Sequence, residues 1–191
     1  AGVLHALVPR VWTLCERAAG AGINLTIDAE ESERLELSLD VFEALADRVG
    51  RTCPHWRGLA LAIQAYQTRA PDAVSEVVAL ARRMRLRFMV RLVKGAYWDS
   101  EIKRAQVMGV EGYPVFTHKH HTDLSYLACA RALLCAPDAI YPQLASHNAA
   151  AIAAVLELAR AAGSPFELQR LHGMGESIYK QLRASQVPCR I

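Results

Sequence analysis

The 191-residue chain is 52% hydrophobic, enough for one domain with a substantial core. Its net charge of +3, with acids and bases interleaved, is too small and too mixed to argue for nucleic acid. No run of about 18 apolar residues is present, so no spanning helix is expected; the N-terminus lacks the basic-then-apolar pattern of a signal peptide, and five cysteines without CxxC spacing read as free thiols of a reducing compartment.

The chain opens on a helical segment, AGVLHALVPRVWTLCERAAG. INLTID (23–28) is the first candidate strand. AEESERLELSLDVFEALADR (29–48) places Leu35, Leu39, Phe42 and Leu45 near one face of a helix. Leu35, Leu37 and Leu39 alone would mimic a strand, but the length and the acid-rich first turn favour helix. LALAIQAY (59–66) reads as a strand and DAVSEVVALARRM (72–84) as a helix. RFMVRLVK (87–94) and PVFTHK (114–119) read as strands, followed by a helix over DLSYLACARALLCA (123–136). IYPQLASHN (140–148) is the next strand, and AAAIAAVLELARAAG (149–163) a helix that ends on Gly163 as its cap. FELQRLH (166–172) is the last full strand, and CRI (189–191) looks like the first residues of another. Strand–helix alternation at a spacing of roughly 26–37 residues implies a parallel sheet with crossover helices. Six near-equal units favour a (β/α)8 TIM-like barrel, here incomplete: the first strand and the last strand–helix unit are missing. No linker and no second domain are visible.

In such a barrel the chemistry sits at the carboxyl ends of the strands. Those ends gather polar groups: Asp28, Gln64 and Tyr66, Arg91 and Lys94, Thr117, His118 and Lys119, Ser146, His147 and Asn148, then Gln169 and His172. Any one alone would read as a solvated strand end. Arg91 sits inside an apolar run, where an unpaired guanidinium is costly, so it needs a ligand or a salt bridge to Asp28 or Glu101. Lys94 is placed as a Schiff-base lysine of an aldolase-type lyase, or as a phosphate or flavin contact. Gly95 and Ala96 lack bulk and would let backbone approach a flat ligand. Tyr97 and Trp98 offer stacking surface, or a plug for the barrel mouth. HKHH (118–121) invites a metal reading, but the intervening lysine and the want of a carboxylate at ligand spacing argue against it. A hydrolase-type metal site from Asp28, His147 and His172 lacks a supporting HxH strand. The glycines of HGMGE (172–176) open a helix whose N–H groups could hold an anion, or simply make a tight turn.

The longest of these motifs carry a resemblance. RLVKGAYWDSEIKRAQ (91–106), TDLSYLACA (122–130), YPQLASHNA (141–149) and LHGMGESIY (171–179) resemble the flavin-dependent proline dehydrogenase domain of the bacterial proline utilization A family. IDAEESERLELSLD (27–40) and IQAYQTR (63–69) are similar as well, so the resemblance covers essentially the whole chain as a single partial barrel domain, residues 1–191. It implies a distorted (β/α)8 barrel that holds FAD at its mouth, oxidises L-proline to Δ1-pyrroline-5-carboxylate and passes electrons to a membrane quinone. It further implies a cytoplasmic protein that meets the membrane peripherally during turnover, and a possible homo-oligomer. By the same resemblance Arg91 lies beside the flavin and Gln64 touches its ring system. Lys94, Gly95, Ala96, Tyr97 and Trp98 wrap the cofactor, and Thr117, Lys119, His147, Asn148, Gln169 and Leu171 line it. Asp28, Tyr97 and Leu171 surround the proline, with Arg91, Asp28 and Tyr97 nearest the chemistry. His118 stands where the family usually has arginine. The family's first-strand lysine, last-strand tyrosine and last-helix arginine pair match no position here. A barrel that folds without turnover is the remaining non-enzymatic reading.

Overall fold

The computed structural model describes residues 2–191. Six strands form one parallel sheet: β1 (Leu25–Ile27), β2 (Leu59–Gln64), β3 (Phe88–Val93), β4 (Ile140–Ala145), β5 (Glu167–Gln169) and β6 (Cys189–Arg190). Their order in the sheet is their order in the chain, with every pair parallel. Helices α1 (Gly2–Ala21), α2 (Leu35–Thr52), α3 (Ala70–Met84), α4 (Trp98–Met108), α5 (Lys119–Leu134), α6 (Ala149–Ala162) and α7 (Glu176–Ala184) connect or flank the strands. This is an α/β fold with an open six-strand sheet, consistent with an incomplete barrel. Among the described residues no helix is long and apolar enough to cross a membrane.

Local sequence explains most of the boundaries. The second helix begins later than expected, after a 3-10 turn at Ser32–Arg34. It buries Leu35, Val41, Phe42, Leu45 and Val49 on one stripe, with Leu39 at the margin. Helix α3 starts with Pro71 in its first turn, where the missing N–H is harmless, and carries Arg82 and Arg83 in its last. Helix α6 is opened by Asn148, whose side-chain oxygen accepts the Ala151 N–H at 2.9 Å. It stops at Gly163 in the left-handed conformation, φ 59°. CRI does start a strand, β6, paired with β5.

PVFTHK corrects the reading given above. It is not a strand of the sheet, because β3 pairs directly with β4, from Phe88 against Ile140 to Leu92 against Leu144. The segment instead folds back over the end of β2. Phe116 N–H donates to the Tyr66 carbonyl at 2.8 Å, and Thr68 N–H to the Pro114 carbonyl at 3.0 Å. Thr117 and His118 therefore lie in a bend, and Lys119 opens α5. Helix α4 was not foreseen, since only Glu101 and Ala105 are buried on it and no apolar stripe announces it.

The period of two in the strands splits the sheet into two faces. Leu59, Leu61 and Ile63 of β2, Phe88, Val90 and Leu92 of β3, and Ile140 and Leu144 of β4 join the helices in the core. The alternate positions form the inner face: Ala60, Ala62 and Gln64, then Met89 and Arg91, then Tyr141 and Gln143, then Glu167 and Gln169. The helix side is held by contacts such as Phe42 edge-on to Phe88, with ring centroids 4.8 Å apart. Both rings are almost wholly buried. Phe42→Ala should lower unfolding stability by about 3–5 kcal/mol, seen as a fall in the urea midpoint at unchanged slope.

Candidate functional site

Parallel pairing aligns the inner-face polar residues in one row. Arg91 sits opposite Gln143, and Gln143 opposite Glu167. Gln169, two residues beyond Glu167, shares its face. The row is linked by hydrogen bonds from end to end, with only the buried Gln143 Oε1 left without a partner among the described residues. The Arg190 guanidinium grips Glu167 through Nε at 2.6 Å and Nη2 at 3.0 Å. Gln143 and Gln169 each donate Nε2 to Glu167 Oε1, at 2.9 and 2.7 Å. Gln169 Oε1 then accepts Arg91 Nε at 3.0 Å, and Arg91 Nη1 donates to Asp28 at 2.8 Å. The salt bridge expected for Arg91 is thus made with Asp28. Glu101 is engaged elsewhere, buried against the backbone and hydroxyl of Ser32 at 2.7 and 2.5 Å.

Above this row opens a cleft of about 740 Å³. Its wall includes Asp28, Gln64, Arg91, Lys94, Gly95 and Ala96 from the first three strands. Lys119, His147, Asn148, Gln169, Leu171 and Arg190 also line it. Tyr97, Trp98 and Thr117 stand outside that wall. Tyr97 and Trp98 are 44% and 41% exposed, and the Trp98 indole N–H is tied to the Phe116 carbonyl at 2.8 Å. A cavity of similar size, about 760 Å³, lies at the opposite end of the strands, beside Trp12 and Trp56, and none of the rim residues reaches it.

The lysines share one carboxylate. Lys94 and Lys119 each place Nζ 2.5 Å from an oxygen of Asp123 on α5. These hydrogen bonds, Lys119 first, hold the Asp123 carboxyl below its ordinary range. The triad presents a net single positive charge to the cleft. Asn148 has its side-chain oxygen occupied as the α6 cap, so it offers the cleft its amide group. His147 Nε2 accepts the Leu171 N–H at 3.0 Å, which joins the loops after β4 and β5. Tyr179 of α7 places its hydroxyl 2.8 Å from the Ser146 carbonyl and 2.6 Å from that of Gln169. The rings of His118, His120 and His121 cluster at the surface with centroids 4.3–5.6 Å apart, His118 stacked on His120 and His121 edge-on to both.

Gly95 has a reason the sequence did not show. Its φ is +130°, and a Cβ there would meet the Tyr66 ring at 2.4 Å. The missing side chain makes room for Tyr66, which is itself buried and donates its hydroxyl to the Glu30 carbonyl at 3.2 Å. Burial raises the Tyr66 hydroxyl to about 12. Asp28 is pushed up by partial burial against the opposing pull of Arg91. Glu167 moves the other way. Burial pushes it up, but the hydrogen bonds from Arg190, Gln169 and Gln143 outweigh that and hold it below the ordinary glutamate range. Two buried polar atoms of cleft-lining residues lack a partner among the described residues: Gln64 Oε1 and Arg170 Nε.

Four residues of the site escaped the sequence reading: Glu167 and Gln143 on the inner face, Arg190 at its edge, and Asp123 behind the lysines. For the first two a signal existed, since Gln143 and the Glu167–Gln169 pair put polar groups on alternate positions of apolar strands. Asp123 had half a signal, the i,i+4 spacing to Lys119 on α5, but its second lysine, Lys94, comes from a different element.

A profile of the family described as proline dehydrogenase matches residues 2–191. The bifunctional protein PutA of Escherichia coli is 50% identical over 197 residues, covering 99% of this chain and 15% of that protein. The corresponding protein of Rhizobium meliloti is 45% identical over 199 residues, covering 100% and 16%. The chain therefore spans about a sixth of the length of these curated relatives. Among solved structures, proline utilization A of Bradyrhizobium japonicum superposes with a TM-score of 0.93 at 52% identity, over 100% of this chain and 20% of that one. Proline utilization A of Bdellovibrio bacteriovorus, inactivated by N-propargylglycine, superposes with a TM-score of 0.92 at 31% identity, over 98% and 20%.

Gly95→Ala should destabilise the fold by at least about 2 kcal/mol, through backbone strain and displacement of the Tyr66 ring. A thermal melt compared with Ala96→Gly reads this out, and an unchanged melting temperature at Gly95→Ala would contradict the Tyr66 contact. Glu167 also predicts an acid dependence. Its folded pKa lies below the unfolded one, so its contribution is complete above the unfolded value, about 4.3, and fades as pH falls through the folded value. Urea denaturation between pH 6 and pH 3 should show this slope, and Glu167→Gln should remove that part of it.

Proposed function

The chain belongs to the proline dehydrogenase family, and on that ground we propose that it carries the cofactor-facing part of a barrel that oxidises L-proline to Δ1-pyrroline-5-carboxylate. In this reading FAD binds in the cleft, a membrane quinone takes the electrons, and the full eight-strand barrel closes around the six strands described. The protein would work in the cytoplasm as a single proline dehydrogenase domain, alone or as a homo-oligomer, meeting the membrane peripherally during turnover. No nucleic acid is engaged through this domain.

The observation that carries the reading is Arg91. Its guanidinium is fixed on two sides, by Gln169 and Asp28, and Nη2 has no protein acceptor among the described residues. A cation so held suits a group that gains negative charge. The cleft also tests well for a flavin. Gln64 Oε1 is a buried acceptor without a donor, which fits the ring N–H of a flat heterocycle. FAD, when bound, supplies a two-electron acceptor for hydride from the carbon next to the proline nitrogen.

The chain's own residues do the rest. Arg91 sets a fixed positive charge at the cleft floor, and the Lys94–Asp123–Lys119 triad adds donors along its wall. Asn148 and Gln169 add amide groups. Leu171, 66% exposed, and Tyr97 offer apolar surface to a pyrrolidine ring beside Asp28. Glu30 beside the Tyr97 hydroxyl, through a hydrogen bond first, raises that phenol above its ordinary pKa. A Schiff-base lyase using Lys94 is the weaker reading. Such a lysine is activated by an apolar pocket or a second cation, whereas Lys94 is hydrogen-bonded to a carboxylate.

Purified protein that carries the full barrel should be yellow, and acid precipitation should release the colour into the supernatant, because no His or Cys sits in a flavin-attachment motif; residues 1–191 alone should turn over weakly or not at all. Arg91→Met keeps side-chain length but removes the charge. A charge-assisted hydrogen bond is worth roughly 1.5–3 kcal/mol, so anaerobic flavin reduction by proline should slow by about one to two decades. A colourless protein, or an unaltered reduction rate in the variant at unchanged melting temperature, would refute the assignment. Colourless protein is also what the non-catalytic reading predicts.

A further inference from the structure

We propose that Glu167 is the positioning residue of the site: it fixes which end of the Gln169 amide faces Arg91, and thereby holds the guanidinium in the cleft. The functional consequence rests on the flavin reading given above; the geometry does not.

A glutamine amide has a donor end and an acceptor end, and burial alone does not choose between them. Gln169 lies between two groups that do. On one side stands Arg91, which has only N–H donors. On the other stands Glu167, which when ionised has only acceptors. Glu167 Oε1 takes Gln169 Nε2 at 2.7 Å, so the amide oxygen must turn to Arg91 Nε, at 3.0 Å. The reverse orientation would set an NH₂ against a guanidinium and an oxygen against a carboxylate. The arrangement requires Glu167 to stay charged although only 6% of it is exposed. Arg190, with two contacts, and Gln143, with one, meet that requirement. Two positions on one face of a three-residue strand thus convert a buried carboxylate into a fixed acceptor for Arg91.

The decisive variants are Glu167→Gln and the exchange Glu167→Gln with Gln169→Glu. The first removes the demand for a donor, so the amide at 169 is free to turn its NH₂ toward Arg91. The second puts an acceptor-only group at 169, which faces Arg91 correctly in either orientation, while the amide at 167 keeps an oxygen for Arg190. Net charge is the same as in the parent protein. The readout is hydrogen exchange of the Arg91 Nε–H by ¹⁵N NMR in flavin-free protein, with the resonance assigned from Arg91→Lys. Exchange should quicken about tenfold or more in Glu167→Gln and return to within about threefold in the exchanged pair, as loss and recovery of one charge-assisted hydrogen bond require. In flavin-loaded protein, proline-driven reduction should slow about tenfold in Glu167→Gln, with no further loss on the Arg91→Met background. If Glu167→Gln does not fold, Gln169→Leu removes the same acceptor without touching Glu167 and must quicken the exchange alike. Unchanged exchange in the folded variants, or an exchanged pair no better than the single change, overturns the proposal. Exchange that behaves as stated in a protein that binds no FAD leaves the positioning intact and refutes the flavin reading instead.

Discussion

The structure turns on a charge that an open sheet would not ordinarily carry, the Arg91 guanidinium in the middle of β3. Burying an unpaired cation costs several kcal/mol, and pairing offsets this only if the geometry is good and the remaining donors are met. Here Asp28 supplies the counter-charge at 2.8 Å and Gln169 a neutral acceptor at 3.0 Å. These partners come from the end of β1 and from β5, on either side of β3 in the sheet. The pairing therefore depends on register. A slip of β3 by one residue would turn Arg91 into the helix core and Leu92 onto the inner face. The apolar set Phe88, Val90 and Leu92 forbids that slip, since all three are almost wholly buried against helices.

The two faces of the sheet thus divide the work. The outer face is apolar and packed, which fixes register and contributes most of the stability. The inner face is polar and mutually hydrogen-bonded, which leaves no large hydrophobic requirement there. β2 is the exception that shows the rule, with all six residues buried. Its inner positions are Ala60, Ala62 and Gln64, and the two alanines leave room beside Arg91, which pairs with Ala62 in register. Small residues beside a large charged one are what an inner surface needs if it is also to admit a ligand.

That division explains what could be read in the chain beforehand. Outer-face periodicity is strong, so all six strands, CRI included, the two-layer α/β character and the cap at Gly163 were visible, whereas the Asn148 cap was read only as a strand end. PVFTHK has the composition of a strand, but its fate was decided by a long-range fact, the direct pairing of β3 with β4. Helix α4 was hidden because it rests mainly on Glu101 and Ala105, and a buried glutamate does not register as a hydrophobic position. Arg91, Lys94 and Gln169 were legible as polar residues in apolar runs. Of their partners only Asp28 was named beforehand, as one of two candidates for Arg91; Asp123 and Glu167 were not, because sequence shows which groups need partners without showing which neighbours supply them. Gly95 was assigned to close ligand approach, whereas the space it frees is filled by Tyr66.

Loops at strand ends are usually the mobile part of such a fold, yet here they are tied to one another. Tyr179, buried in α7, reaches the carbonyls of Ser146 and Gln169, one after β4 and one in β5. A single hydroxyl proton serves one of them at a time, so the contact holds the two backbones together without committing to either. His147 binds the same pair of loops a second time through the Leu171 N–H. On the other side Trp98 bridges to Phe116, and the 114–116 segment is stitched to Tyr66 and Thr68. Each rim loop is thus anchored by its neighbour rather than by its own helix. The order of the rim is then a property of the whole row of strand ends, so exposed groups such as Leu171 and Tyr97 stand on backbone that is already fixed. Polar and apolar surface held this way loses little conformational freedom on meeting a ligand, and that economy is available only because the row beneath is locked through Glu167, Gln169 and Arg91.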